Sequence, residues 1–261
     1  NPTQIRIQLN DKKEKPMMKR IVGIVISLMT CATLFSQDYI MFHSILLELR
    51  DGESYALQAG VKRHNAKYHD GTNGTKAYLF SILSGPNSGQ FNWVMGPTKF
   101  SQYDEPLTED HMKDWDKNVG KYARDHTYIY MVRDEDMTYN PDNEVVGQNI
   151  LVKRILVKQG GNHHLDAIEE AMNSIADVLR KTNAKIARRV YRSAFRSAKG
   201  DFMLVYPFDS WTEFEGGRQG LPAGFANDYD RIHGKGSFQK LGETISEHTN
   251  GITNEVQTMV K

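Results

Sequence analysis

Two stretches of this 261-residue chain carry one pattern in register. Gly89, Phe91, Val94, Phe100 and Tyr103 recur as Gly200, Phe202, Val205, Trp211 and Phe214, each pair 111 positions apart. Both copies open on a glycine and run as an apolar strand. Both then stop at proline and carry two aromatics three residues apart. A supersecondary unit that repeats cannot bury its apolar face alone, so the copies are expected to pack on one another.

The rest of the chain follows the same duplicated order. Residues 40–49 read as a strand apolar on both faces, which demands cover on both sides. Residues 54–69 read as a helix, and 76–83 with 90–95 as a hairpin turning through Gly85 and Pro86. Thr108 is expected to cap a helix striped by Met112, Trp115, Val119 and Tyr122. Residues 126–133 form the next strand, and the acidic stretch 135–148 reads as a linker. The second half repeats the sequence: a strand at 149–158, then a helix that Asn162 could cap, striped by Leu165, Ile168, Met172, Ile175 and Leu179. A hairpin follows at 185–195 and 201–206, then helical segments and a last strand at 252–260. The expected fold class is α+β. Two tandem ferredoxin-like β-α-β-β-α-β repeats, residues 38–134 and 149–261, would pack sheet to sheet.

This element order resembles the dimeric α/β-barrel superfamily with both partners fused in one chain. It is similar to the NIPSNAP and antibiotic-biosynthesis-monooxygenase families, and less closely to EthD-like and chlorite-dismutase-like proteins. The resemblance spans residues 39–261 and carries no catalytic motif across residue by residue. It implies either a small-molecule binding barrel or an oxidoreductase, cofactor-independent or haem-dependent. For the haem version, His164 and His233 are the axial-ligand candidates. A structural or interaction module is the third reading.

The N-terminal part reads as a leader. Residues 1–16 precede Met17 and look like upstream sequence. Met17-Met18-Lys19-Arg20, a short apolar run and Ser36 have the form of a secretory signal over 17–36. The expected location is therefore periplasmic or extracellular, with acylation at Cys31 as the lipoprotein alternative. Six of the 33 Lys and Arg and two of the 32 Asp and Glu lie before residue 37, so the remainder carries a net charge of −3. A mildly acidic body argues against nucleic acid as a partner. The one cysteine lies in the leader, which excludes disulfides and thiol chemistry from the body.

The candidate ligand-binding residues are Trp93, Tyr206, Arg192 and Trp211. The aromatics sit in or beside the repeated strands and would line a cleft between sheet and helices. Arg188 and Arg192 share a strand face with Val190. If that face looks into the barrel, Arg192 could orient an acidic group on a small apolar ligand. No metal site is expected. His64 and His69 are five apart, about 140° around a helix, and read as surface histidines. His163 and His164 read as solvated helix entry. Asp134, Asp136, Asp142 and Glu144 lack calcium-loop spacing. The glycine-rich stretches 216–220 and 234–237 lack the phosphate-loop context.

Overall fold

The structure, a computed structural model, describes residues 39–72, 74–139, 147–195, 200–215 and 220–261. The expected signal segment and Cys31 lie outside these residues, as do Asp142, Glu144 and most of the first glycine-rich loop.

In chain order the elements are β1 (Met41–Leu49), α1 (Ser54–Tyr68), β2 (Lys76–Ile82), β3 (Phe91–Thr98), α2 (Glu109–Asn118) and β4 (Ala123–Tyr139). Then come β5 (Asn149–Val157), α3 (Asn162–Lys181), β6 (Arg188–Ser193), β7 (Phe202–Phe208), α4 (Trp211–Glu215), α5 (Phe225–His233), α6 (Ser237–His248) and β8 (Thr249–Met259). The eight strands close into one barrel in the order β1-β3-β2-β8-β5-β7-β6-β4. Every pairing is antiparallel. Cut at two seams, the barrel gives β4-β1-β3-β2 and β8-β5-β7-β6, one order in both halves. One seam is short: Phe80, Ser81 and Ile82 meet Met259, Thr258 and Gln257. At the other, β4 meets β6 from Met131↔Ser193 to Tyr139↔Arg188.

Strand alternation sorts the side chains into three layers. Phe91 and Trp93 face α1 and α2 in one core with Leu57, Val61 and Val119. Phe202, Leu204 and Tyr206 face the helices of the second half in another, with Ile168, Met172 and Leu179. Phe80, Ile129, Met131, Ile150, Val152, Tyr191 and Val205 fill the barrel between them. Phe91 and Phe202 thus hold matching places. Each opens its strand, each is buried, and each pairs with the first strand of its half, at Leu47 and Ile155. One end of the barrel interior is polar. Ser44 Oγ donates to Asn92 Oδ1 (2.5 Å), Asn92 Nδ2 to Gln257 Oε1 (3.2 Å) and Gln257 Nε2 to Glu255 Oε2 (3.0 Å). Linking these groups satisfies donors that would otherwise be buried unpaired.

Two boundaries differ from the expectation. β4 runs to Tyr139, so the first five residues of the expected linker are strand; Met137, Thr138 and Tyr139 are buried there. Local acidity suggested a linker, but pairing with β6 and packing under α3 outweigh it. Helix α3 has Gly161, not Asn162, at its N-cap. Thr108 caps α2 as expected, its Oγ1 accepting from the His111 N–H at 3.3 Å.

Arg188 is fully buried under α3. Its Nε donates to Tyr206 Oη (3.1 Å) and its Nη1 to the Met137 carbonyl (2.7 Å). Replacing Arg188 by Ala leaves both acceptors without a donor and opens a cavity. We expect a loss of about 3 kcal/mol in chemical denaturation.

Candidate metal centre

Helices α1 and α2 cross at a glycine. A Cβ on Gly60 would lie 1.7 Å from the Asn118 carbonyl oxygen, so only glycine permits this approach. His64 stands one turn beyond Gly60 on α1. His111 and Asp114, three apart on α2, lie on one face of their helix and meet it. His69 arrives differently. Helix α1 ends at Tyr68, and His69 turns away with φ −139° and ψ 38°. Its N–H bonds the Asn65 carbonyl (2.8 Å) and its carbonyl accepts from Ala77 N (3.1 Å), tying it to β2.

The result corrects the reading of these residues as surface histidines. His64 is 0% exposed and His69 8%. The 140° separation holds only if both residues are helical, and His69 is not. One ring nitrogen from each of His64, His69 and His111 falls in a single group, all within 4.8 Å of one another. His64 Nε2 and His111 Nε2 are 3.3 Å apart. A tetrahedral ion with nitrogens at 2.0–2.1 Å separates two of them by about 3.3 Å. His64 Nδ1 donates to Asp114 Oδ1 at 2.8 Å. That bond fixes the tautomer and turns the Nε2 lone pair toward the other two rings, as a carboxylate does behind a metal-bound histidine. His69 Nδ1 is buried and has no hydrogen-bond partner among the described residues.

Aromatic rings hold the trio. Tyr68 stacks on His111 with centroids 4.1 Å apart and planes 3° apart. Trp93 packs edge-on against His69 (5.2 Å) and Trp115 against His64 (5.1 Å). Trp93 Nε1 donates to Asn65 Oδ1 (2.9 Å). Burial lowers the pKa of all three histidines, that of His69 to about 3. At His64 the Asp114 carboxylate opposes the shift without cancelling it. All three rings are therefore neutral near pH 7, the state in which imidazole binds a cation. Their chemistry suits zinc, copper, iron or nickel.

The depressed values also fix an acid limit. The unfolded histidines take up protons near their ordinary value of 6.5, while His69 and the equally buried His43, lowered by burial to about 4, do not. Where the unfolded chain binds more protons, stability falls as pH falls. Metal-free protein should lose stability from about pH 6.5 down toward pH 4, read as falling denaturation midpoints, and be flat just above. Asp114→Asn should weaken metal binding by about 10–100-fold in a competition titration, since it removes only the group behind His64.

Of the residues expected to line a ligand site, Trp93 alone reaches this centre. Tyr206 lies in the helix-facing core of the other half. Trp211 is 51% exposed and packs on Phe208 and Phe214. Arg192 does not face the barrel interior. It lies on the outer side, ion-paired to Asp134 at 2.7 Å and to Glu169, above the Phe202 ring. The strand alternates there, and Tyr191, not Arg192, points inward. Arg192 does border a groove of about 400 Å³ with Leu165 and Phe202. The two haem-ligand candidates are engaged with other side chains. His164 Nδ1 meets His248 Nδ1 at 2.8 Å beside His163, and His233 is half-exposed against Tyr229. Neither borders that groove, and the layer beneath α3 is filled by packed side chains. The second glycine-rich stretch is a turn, capped by Asp230 accepting from Gly236 N and Phe238 N.

The chain matches no protein-family model and no curated protein. Solved structures do match its shape. A putative monooxygenase from Fusobacterium nucleatum superposes with TM-score 0.53 at 8% identity, over 86% of this chain and 94% of that one. A chlorite dismutase from Candidatus Nitrospira defluvii, in complex with imidazole, gives 0.52 at 11% identity, over 89% and 95%. The fold is that of the dimeric α/β barrels. In this barrel the histidine centre sits on the helix side of the first half, between β3 and the α1–α2 pair.

Proposed function

We propose that this α/β barrel is a metal-dependent oxidoreductase acting on a small apolar molecule, with a mononuclear site on His64, His69 and His111. One observation carries the reading: three buried, neutral imidazoles converge, one of them braced by a carboxylate. Buried polar groups without partners are costly, and a cation would satisfy His69 as well as the close His64–His111 pair. Three protein ligands leave a coordination position for water or substrate. When bound, the ion would supply a Lewis acid or a redox centre. The chain's own part is positional. Asp114 orients His64, Tyr68 flattens His111, and Trp93 and Trp115 wall the site with apolar surface. The monooxygenase and chlorite dismutase among the structural relatives favour redox chemistry as the reaction class. We read the two halves as fused copies of one module. The shared strand order and the matched Phe91 and Phe202 support this.

Metal analysis of the purified protein, followed by cobalt titration, tests the site. One equivalent with a tetrahedral or five-coordinate visible spectrum, lost in His64→Ala/His111→Ala, is expected. Failure to bind any divalent transition metal at micromolar concentration overturns the reading. Oxygen or peroxide consumption by the metal-loaded protein with small aromatic reductants tests the reaction class separately.

A further inference from the structure

A second set of rings continues from the metal centre to the surface. Trp93 touches His69 on one side and the His43 ring on the other, at 6.1 Å. His43 is itself buried, and three tyrosines surround it. Tyr130 stacks on it at 4.6 Å and 10°, Tyr128 at 5.6 Å and 25°, and Tyr103 meets it edge-on at 5.9 Å. Tyr128 is 54% exposed and Tyr103 40%. The fold places these rings together because β1 lies between β3 and β4. His43 pairs with Met95 on one side and with Tyr130 on the other. Trp93, His43, Tyr128 and Tyr130 are then side by side on the helix-facing side of three adjacent strands.

The geometry points to an electron-transfer relay, in which Trp93 gives an electron toward the histidine centre and the tyrosines around His43 replace it. It rests on the reading of His64, His69 and His111 as a redox metal site. Indole and phenol are the most easily oxidised side chains after thiols, and this body has no cysteine. The balance is one electron at a time. Trp93 loses an electron to a one-electron oxidant and becomes a radical cation, its N–H held by Asn65 Oδ1. A tyrosine then transfers an electron to Trp93, restoring the indole, and releases its phenolic proton to water at the exposed edge. The tyrosyl radical is finally reduced by a small phenolic or thiol reductant in solution. His43 undergoes no net change. Its ring bridges indole and phenol, and burial keeps it uncharged, so no fixed positive charge opposes the electron deficiency passing it. Packing alone would have been met by Leu or Phe at position 43. A histidine whose Nε2 is buried with no partner among the described residues is a costly choice for packing.

Pulse radiolysis with azidyl radicals on the metal-free full chain tests the relay. Trp211→Phe serves as the background, because exposed Trp211 would otherwise take most of the oxidation. Tryptophanyl absorbance should decay as tyrosyl absorbance grows, at a rate independent of protein concentration. Tyr103→Phe/Tyr128→Phe/Tyr130→Phe, which keeps every ring, should abolish that growth. Trp93→Phe should abolish it too. Transfer that persists unchanged in the triple variant, or its absence from the background protein, overturns the relay. Circular dichroism confirms folding, and the single variant Tyr128→Phe, altering an exposed hydroxyl, should slow the transfer if the triple variant is unstable. The measurement contains no metal, so its outcome stands apart from the cobalt titration.

Discussion

Zinc or cobalt at about a hundredfold excess over its dissociation constant is expected to raise the unfolding temperature by about 5–10 °C. The ion binds the folded protein, where three imidazoles are assembled. It has far weaker purchase on an unfolded chain in which residue 111 is far from residues 64 and 69. His111→Ala should erase the shift while changing metal-free stability least, because His111 is the most exposed of the three. His69→Ala should erase it as well. Magnesium should give no shift, since the site offers nitrogen and magnesium prefers oxygen. The pH dependence is informative. Ordinary histidines compete with protons for the metal near pH 6.5, but burial lowers the pKa of all three here, that of His69 to about 3. Differential scanning fluorimetry at pH 5.5 should therefore still show the zinc shift. A shift that survives in His64→Ala/His111→Ala would place the metal elsewhere.

Gly60→Ala is expected to destabilise the protein by about 3 kcal/mol and to abolish metal binding. An alanine normally stabilises a helix relative to glycine, by about 0.5–1 kcal/mol. Here its methyl would overlap a backbone carbonyl, which no side-chain rotation relieves. The helices must separate, and His64 and His111 separate with them. Gly242→Ala is the control. Gly242 lies in α6 with nothing within 4 Å of an added Cβ, so the same change there should be neutral or mildly stabilising. Urea denaturation of both variants and one cobalt titration of each decide the matter. Retained cobalt affinity in Gly60→Ala would mean that the helix crossing does not set the ligand geometry.

The histidine centre was only partly legible in the sequence. Spacing on a helix is a sound guide for residues that are both helical, and it misled for His64 and His69 because the helix ends between them. His111 and Asp114 carry a usable signal, a histidine and a carboxylate three apart just after a capped helix start. Nothing in the linear sequence says that this face meets the one carrying His64. His43 looks like one polar residue in a strand, and its aromatic neighbours come from β3, β4 and the turn after β3.

Local chemistry, by contrast, was decisive for the elements. Glycine and proline stops, strand alternation and the stripe on α3 depend on neighbours a few residues away, so the chain order states them directly. Those patterns determined the α+β class and the eight strands, and the order of the elements carried the resemblance to the barrel fold. Tertiary packing decided what the strands and helices bring together. Residues 64, 69 and 111 become neighbours through one helix crossing at Gly60 and one strand that captures His69, while Arg192 is drawn outward to Asp134 and Glu169. Contacts between positions far apart in the chain depend on how whole elements dock, and docking is a property of complementary surfaces that no short stretch of sequence contains.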